Sequence, residues 1–213
     1  ALDTPVVSGN VSFYNETQGE GAIPPTPTIG MVGLLEDVSL SVRAAFSGNG
    51  HSLLLLGETR EELGASEYLA LRLGWERGRP PVVDLAEERA LQGFLVEAAS
   101  EELLLSAHDL SDGGAAVAIA ESALGAGIGC EVELPEDGMR IEARLFGESA
   151  GRAVISCDPG RTERVLNLAR LRGVPAHVIG RTGGDRIRIE PGVDVSLREA
   201  HDLWERTFPE FLE

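Results

Sequence analysis

The amino-acid sequence predicts an α+β fold, in which a mixed sheet packs with helices and follows an extended N-terminal arm. From Val38 onward, short apolar runs typical of strands alternate with longer runs that carry apolar residues at helical spacing. Residues 182–185, Thr-Gly-Gly-Asp, have the composition of a hairpin turn between two short runs, so we expect some strands to pair antiparallel. Mixed α/β layers are therefore favoured over a purely parallel sheet.

Residues 1–36 differ from the rest because glycine and proline are dense there. Residues 23–28, Ile-Pro-Pro-Thr-Pro-Thr, cannot form a helix, since each proline restrains the residue before it and lacks a hydrogen-bond donor. We interpret residues 1–36 as an extended arm, the tail of a preceding domain, and residues 37–213 as a C-terminal α+β domain.

The domain begins with a strand over residues 51–56, which form a short apolar run. Thr59 begins a capping-box pattern that Gly64 interrupts, so the next secure helix is 66–73, with Ser66 as its N-cap. Asp84 and Glu87 form a better capping box, which opens a long helix over 84–100.

Strands and helices continue to alternate beyond residue 100. The predicted order is strand 103–107, helix 115–124, strand 130–134, helix 141–146, strand 152–157, helix 162–171, strands 176–180 and 186–190, and helix 196–207. Gly147 and Gly173 are expected to end their helices, Gly147 in a left-handed conformation, and Pro209 to stop the last one.

The composition excludes several classes of function. The net charge of −17 argues against nucleic acid or an anionic membrane as a partner, and no run approaches the ~20 apolar residues of a membrane span. All 18 basic residues are arginine, so a Walker-type phosphate loop with its lysine is excluded. Cys130 and Cys157 lie in strand-like runs, which favours buried reduced thiols and fits a cytoplasmic protein.

The first segment that could carry chemistry is the polar turn at residues 9–12, Gly-Asn-Val-Ser. Gly9 has no Cβ to keep a ligand away from the backbone, and Asn10 could give a carbonyl oxygen to Mg²⁺ if carboxylates and phosphates completed the site. On turn chemistry alone, an ordinary hydrogen-bonded turn is the favoured interpretation.

A second segment, residues 108–114 (His-Asp-Leu-Ser-Asp-Gly-Gly), joins the end of a predicted strand to the start of a helix. Ligands commonly bind at such junctions in α/β proteins, and two aspartates there could hold a metal. Alternatively, Asp112 or Ser111 caps the helix and Asp109 braces the turn. We favour the cap for Asp112 and leave Asp109 open.

A third segment, residues 145–152, places Glu148 and Ser149 after a helix and before a strand, a position open to ligand contact. The four histidines of the chain show no metal-ligand spacing, so a histidine metal site is not expected.

Residues 7–16, Val-Ser-Gly-Asn-Val-Ser-Phe-Tyr-Asn-Glu, closely resemble a signature of the phosphoribosylformylglycinamidine synthase family, the ATP-dependent ligases of purine biosynthesis. The resemblance implies that Gly9 contacts ATP, that Asn10 binds Mg²⁺ and that Ser12 contacts the substrate, formylglycinamide ribonucleotide. It places no catalytic residue in this chain, because the family's catalytic histidine and most of its metal carboxylates belong to upstream sequence.

The second and third segments resemble signatures of the wider superfamily that includes aminoimidazole ribonucleotide synthetase. In the synthase family the principal metal-binding aspartate lies in the first half of a duplicated chain, so Asp109 would belong to the second copy. Ala150 stands where the related first-half loop has Gln. The third segment is therefore interpreted as a structural loop or as part of a second nucleotide site.

The resemblance covers essentially the whole chain and implies the C-terminal portion of the synthase, inactive by itself. Its cofactors would be ATP and Mg²⁺, and its partners a glutaminase subunit and a small accessory subunit. Two alternatives stay open: a non-catalytic nucleotide-binding or scaffolding domain of that enzyme, and another member of the superfamily such as aminoimidazole ribonucleotide synthetase.

Overall fold

The structure of the protein is a computed structural model that describes residues 2–11, 16–17, 19, 21–23, 26–136 and 138–212, with residues 17 and 207–212 described by their backbone alone. In the arm, strands β1 (Glu16–Thr17) and β2 (Gly21–Ala22) form a small antiparallel pair. The arm residues from 26 to 36 are exposed and carry no regular secondary structure.

One seven-stranded sheet organises the rest of the described chain. Its strands are β3 (Ser52–Leu56), β4 (Ser106–Asp109), β5 (Cys130–Glu133), β6 (Ala153–Cys157), β7 (Ala176–Thr182), β8 (Arg186–Glu190) and β9 (Val193–Ser196). They lie in the order β4-β6-β3-β7-β5-β8-β9, and every pair is antiparallel except β5 with β8. The mixed sheet confirms the predicted α+β fold.

Helices cover both faces of this sheet. They are α1 (Glu67–Leu73), α2 (Leu85–Ser100), α3 (Gly114–Ala126), α4 (Ile141–Phe146), α5 (Thr162–Arg172) and α6 (Leu197–Leu212). Alternate side chains of β3 point to opposite faces, so Leu53 packs in the core beneath α3 and Leu54 in the core beneath α2 and α5. All five residues of β3 are buried, as expected for an interior strand that is covered on both faces.

The two predicted N-caps before residue 100 are confirmed. The Ser66 hydroxyl accepts a hydrogen bond from Leu69 N at 3.4 Å, and the Asp84 carboxylate accepts from Ala86 N and Glu87 N. The backbone donors to Asp84 hold the pKa of its carboxyl below the usual range.

The predicted hairpin at residues 182–185 is wrong. Strands β7 and β8 flank that turn but do not pair, because β5 lies between them, antiparallel to β7 and parallel to β8. The turn is instead closed by the backbone of Gly129, whose oxygen accepts from Gly183 N at 2.7 Å and whose nitrogen donates to Gly184 O at 2.9 Å. The true hairpin in this region joins β8 to β9, a strand that the sequence pattern missed.

Three further boundaries differ from prediction. The strand expected at 103–107 begins at Ser106 and ends at Asp109. Gly147 is extended rather than left-handed, and its hydrogen side chain is needed because a Cβ there would lie 2.4 Å from Ala143 O. Helix α6 continues through Pro209 and ends at Leu212, so the predicted stop at Pro209 is wrong.

Among the described residues, no helix is both long enough and apolar enough to cross a membrane.

Candidate functional site

The first segment lies on the exposed arm. Gly9 and Asn10 are exposed, and no heavy atom lies within 4 Å of the position that a Cβ on Gly9 would occupy. Ser12 falls outside the residues that the structure describes. No described hydrogen bond or ion pair joins Gly9 or Asn10 to the sheet domain, so their roles toward ATP and Mg²⁺ stay predictions.

The second and third segments, in contrast, form one cleft. Strand β4 ends in the second segment and β6 begins after the third, and the two strands pair with Asp109 opposite Ala153. The loops at residues 108–114 and 147–152 are therefore neighbours at one end of the sheet. The cavity between them has a volume of about 490 Å³. Its lining residues are Glu88, Leu91, Gln92, Leu95, Ala107, His108, Asp109, Leu110, Ser111, Glu148, Ala150, Gly151, Arg152 and Ala153.

We name this cavity the motif cleft. Its rim is acidic: Glu88, Asp109 and Glu148 all line it, and the Asp109 side chain is 79% exposed. Helix α2 forms its remaining wall, with Glu88 and Gln92 one helical turn apart on the same face. The sequence interpretation missed this wall, although the helical spacing of the two polar residues was a usable signal.

His108 lies in the motif cleft, and both of its ring nitrogens face protein oxygens. Nδ1 is 2.8 Å from the backbone oxygen of Asp109, and Nε2 is 3.1 Å from a carboxylate oxygen of Glu121 on α3. Neither nitrogen is therefore free to ligate a metal. Across the part of the chain that the structure describes, there is no group of three or more His, Cys, Asp or Glu side chains placed to hold a metal ion.

The predicted cap of α3 by Asp112 is wrong. The N-cap residue is Gly113, in a left-handed conformation, and no side chain of its own segment caps the helix there. The Gly113 N–H donates instead to Oε1 of Glu148, at 2.8 Å. The same oxygen accepts from Glu67 N, the first residue of α1, at 3.0 Å. One carboxylate oxygen of the third segment thus receives backbone donors from two helix N-termini.

Ser149 is not available to a ligand, because it is fully buried and its hydroxyl is engaged by the backbone of Arg60. The Ser149 Oγ accepts from Arg60 N at 3.2 Å and lies 3.3 Å from Arg60 O, to which it can donate. Its role is therefore to join the third segment to the loop after β3.

Arg152 is the principal residue that the sequence interpretation missed. It is only 2% exposed, and its guanidinium donates to Gly147 O at 2.5 Å, Ser149 O at 3.0 Å and Thr59 Oγ1 at 3.3 Å. Burial lowers its pKa to about 10, and the nearby charge of Glu62 partly opposes that shift. The only signal in the sequence was its place at the end of the third segment, just before an apolar strand.

In a comparison with known protein families, residues 48–190 match the family described as AIR synthase related protein, C-terminal domain. Two curated relatives are named phosphoribosylformylglycinamidine synthase subunit PurL. The one from Thermobifida fusca is 47% identical over 213 residues, which cover 98% of this chain and 27% of the relative. The one from Moorella thermoacetica is 47% identical over 212 residues, 98% of this chain and 29% of the relative. The chain thus spans less than a third of these relatives.

Solved structures of PurL from Thermotoga maritima share the fold. The complex with FGAR superposes with a TM-score of 0.67 at 21% identity, covering 76% of this chain and 30% of that one. The complex with ATP gives a TM-score of 0.61 at 21% identity, with 76% and 27% covered. The structure described as PurLQS gives 0.59 at 22% identity, with 76% and 28% covered.

Proposed function

The chain belongs to the AIR synthase related protein family through its C-terminal domain, and from that premise we propose that it is the C-terminal portion of a phosphoribosylformylglycinamidine synthase. The observation that carries the proposal is the 47% identity to subunits of that name over 98% of this chain. The likeness to solved PurL structures supports it at the level of the fold.

The reaction of the whole enzyme would convert formylglycinamide ribonucleotide to the amidine with ammonia and ATP. The γ-phosphoryl group of ATP passes to the amide oxygen of the substrate, which leaves ADP. Ammonia then adds to the amide carbon of the substrate, and the phosphorylated amide oxygen departs as phosphate. Most of the catalytic requirement of such a transfer is the stabilisation of charge on the phosphoryl group. A glutaminase subunit would supply the ammonia, and a small accessory subunit would complete the assembly in the cytoplasm.

The arm residues would contribute ligand contacts to that reaction. Gly9 allows ATP to approach the backbone, Ser12 offers a hydroxyl to the substrate, and Asn10 offers one neutral oxygen to Mg²⁺. The described residues do not by themselves fit a Mg²⁺ site, because Asn10 is exposed and no cluster of acidic ligands surrounds it. Carboxylates from elsewhere in the longer enzyme would have to complete that site.

A second candidate function is a non-catalytic ligand site in the motif cleft. The observation that favours it is the cleft itself, about 490 Å³ in volume and lined by both superfamily segments. Its acidic rim disfavours a bare phosphate and favours a ligand that brings a cation. In this second role the domain would bind a metal-associated nucleotide without turning it over.

Reconstitution tests the first proposal. The 213-residue chain is mixed with a protein that comprises the rest of the T. fusca relative, and ADP formation is followed with ATP, Mg²⁺, ammonium and formylglycinamide ribonucleotide. We expect substrate-dependent ADP formation only when both parts are present. Asn10→Ala should lower it strongly, whereas Glu163→Gln, an exposed carboxylate on α5, should not. Turnover by the chain alone, or a mixture that stays inactive although the parts associate, would overturn the proposal.

Calorimetry separates the second candidate from the first. Titration of ADP with Mg²⁺ into the chain alone should release heat if the motif cleft is a nucleotide site, and Asp109→Asn should weaken that binding without affecting reconstituted turnover. Absence of binding to the correctly folded chain would remove the second candidate and leave the first intact.

A further inference from the structure

Glu148 connects two parts of the fold that are distant in sequence. Its Oε1 accepts backbone hydrogen bonds from Gly113, at the start of α3, and from Glu67, at the start of α1. We propose that Glu148 is a positioning residue whose carboxylate holds the loop at 108–114 and helix α1 against the loop at 147–152, and so sets the shape of the motif cleft. The proposal rests on this geometry and holds whichever ligand the cleft takes.

The loop at 108–114 needs an acceptor from elsewhere. Gly113 and Gly114 both have positive φ, and a Cβ on Gly114 would lie 2.5 Å from Gly147 O, so the two loops meet backbone to backbone. That approach requires glycine, and glycine has no side chain with which to cap α3. The first N–H groups of a helix lack partners within the helix. Glu148 supplies the missing acceptor for Gly113, and its negative charge also suits a helix N-terminus.

The backbone that carries Glu148 is itself fixed on both sides. Arg152 donates to the carbonyl oxygen of Gly147, and the Ser149 hydroxyl is bonded to the backbone of Arg60. The Glu148 N–H points to Glu62 O at 3.4 Å. The carboxylate is therefore mounted on a braced loop, which is the condition for a side chain to position others.

Helix α1 is held to the same place by a second contact. The Tyr68 ring stacks on Phe146, with ring centroids 5.0 Å apart and an angle of 11° between the rings. Glu67 and Tyr68 are adjacent in the chain, and the residues that they contact, Glu148 and Phe146, lie two positions apart in the third segment. The Glu148 hydrogen bond thus lies beside the Tyr68–Phe146 stack. Loss of the carboxylate should release the N-terminal end of α1, while the stacked rings stay in contact.

The effect reaches the motif cleft through the second segment. Leu110 N donates to Arg152 O at 3.1 Å, and Asp109, Leu110 and Ser111 line the cleft. Leu110 and Ser111 stand between Asp109, the last residue of β4, which the sheet fixes, and Gly113, which Glu148 fixes. Releasing Gly113 would therefore free the end of this segment that carries Ser111, while Asp109 at the sheet end stays in register.

Amide hydrogen exchange on the ¹⁵N-labelled 213-residue chain tests the proposal. Glu148→Ala should lower the protection of the Gly113 and Glu67 amides together by about tenfold, equivalent to about 1.4 kcal/mol. Glu148→Gln keeps one acceptor oxygen without the charge, so we expect it to restore part of the protection. Glu163→Gln removes a carboxylate from the first turn of α5 and should leave both amides unchanged.

Three outcomes would overturn the proposal. In Glu148→Ala, the two amides could keep their protection, or protection could fall equally for core amides such as Ile155, which would indicate a general loss of stability. If Glu148→Ala does not fold, the wild-type chain still decides: a Gly113 amide that exchanges at the rate of an open peptide is not bonded to Glu148. Slow exchange at Gly113, with partial loss in Glu148→Gln, supports the proposal without the alanine variant.

Discussion

Replacement of Arg152 by methionine should destabilise the domain substantially. The guanidinium is 2% exposed and donates to two backbone carbonyls, those of Gly147 and Ser149, and to the Thr59 hydroxyl. Methionine fills much of the volume of the arginine stem but donates no hydrogen bond. The substitution therefore leaves the acceptors in place and removes their donor.

The expected loss follows from those contacts. A buried acceptor that loses its partner costs about 1–3 kcal/mol, and two carbonyls are affected. Part of this loss is offset, because methionine removes the cost of burying a charged group. That cost is reflected in the lowering of the Arg152 pKa to about 10 by burial. We expect a net loss of about 3 kcal/mol. For a chain of this length that corresponds to a fall in Tm of about 6–12 °C.

Urea unfolding followed by far-UV circular dichroism measures the loss directly. With a slope of about 2 kcal/mol per molar urea, the midpoint should fall by about 1.5 M. Arg170→Met is the matched control, since Arg170 is exposed on α5 and the one hydrogen bond described for its guanidinium goes to the Asn167 side chain. The control should change stability by less than about 0.5 kcal/mol. An Arg152→Met midpoint equal to that of the control would refute the reasoning.

Two more predictions concern the sheet. Burial raises the pKa of Cys130 from about 9 to about 12, so the stabilising contribution of its buried thiol is full below pH 9 and is lost as the pH rises toward 12. Iodoacetamide at pH 8 should label Cys130 only after unfolding, and rapid labelling of the native chain would contradict this. Gly129→Ala should lower the free energy of unfolding by about 1–3 kcal/mol, since the new Cβ would lie 2.3 Å from Arg186 O. Gly93→Ala, in open space on α2, should instead raise it by about 0.5–1 kcal/mol. Urea midpoints that shift in the same direction for the two variants would count against both predictions.

The sequence predicted most of those features that depend on neighbouring residues. Ser66 and Asp84 cap their helices as expected, because an N-cap is decided within three or four residues. The left-handed Gly173 ends α5 for the same reason. Short apolar runs likewise located β3, β5, β6 and β8 to within about one residue at each end.

Two of the errors arise where the decisive partner is distant. The turn at 182–185 has the composition of a hairpin, yet the insertion of β5 between β7 and β8 depends on residues 130–133. Asp112 has the character of a cap, yet Glu148 takes that role from another segment. Local composition contains no information about which remote strand or carboxylate will arrive, so these features were beyond the sequence pattern.

The candidate site divides along the same line. The second and third segments were singled out in advance, and the pairing of β4 with β6 explains why they meet. The wall from α2 and the buried Arg152 follow from tertiary packing that no motif records. Gly9 and Asn10 stay predictions drawn from resemblance, because no described contact ties them to the domain.

The position of β3 has a consequence for how the chain acquires its structure during synthesis. Leu54 pairs with Ile155 on one side and with Val178 on the other, so β3 leaves the ribosome long before either neighbouring strand. Such non-local pairing slows folding, because distant segments must meet before their contacts form. A nascent chain that ends before β7 leaves one edge of the apolar strand β3 unpaired, and such exposed edges promote aggregation. The domain therefore closes late and as a unit, and truncation before Thr182 should yield insoluble protein.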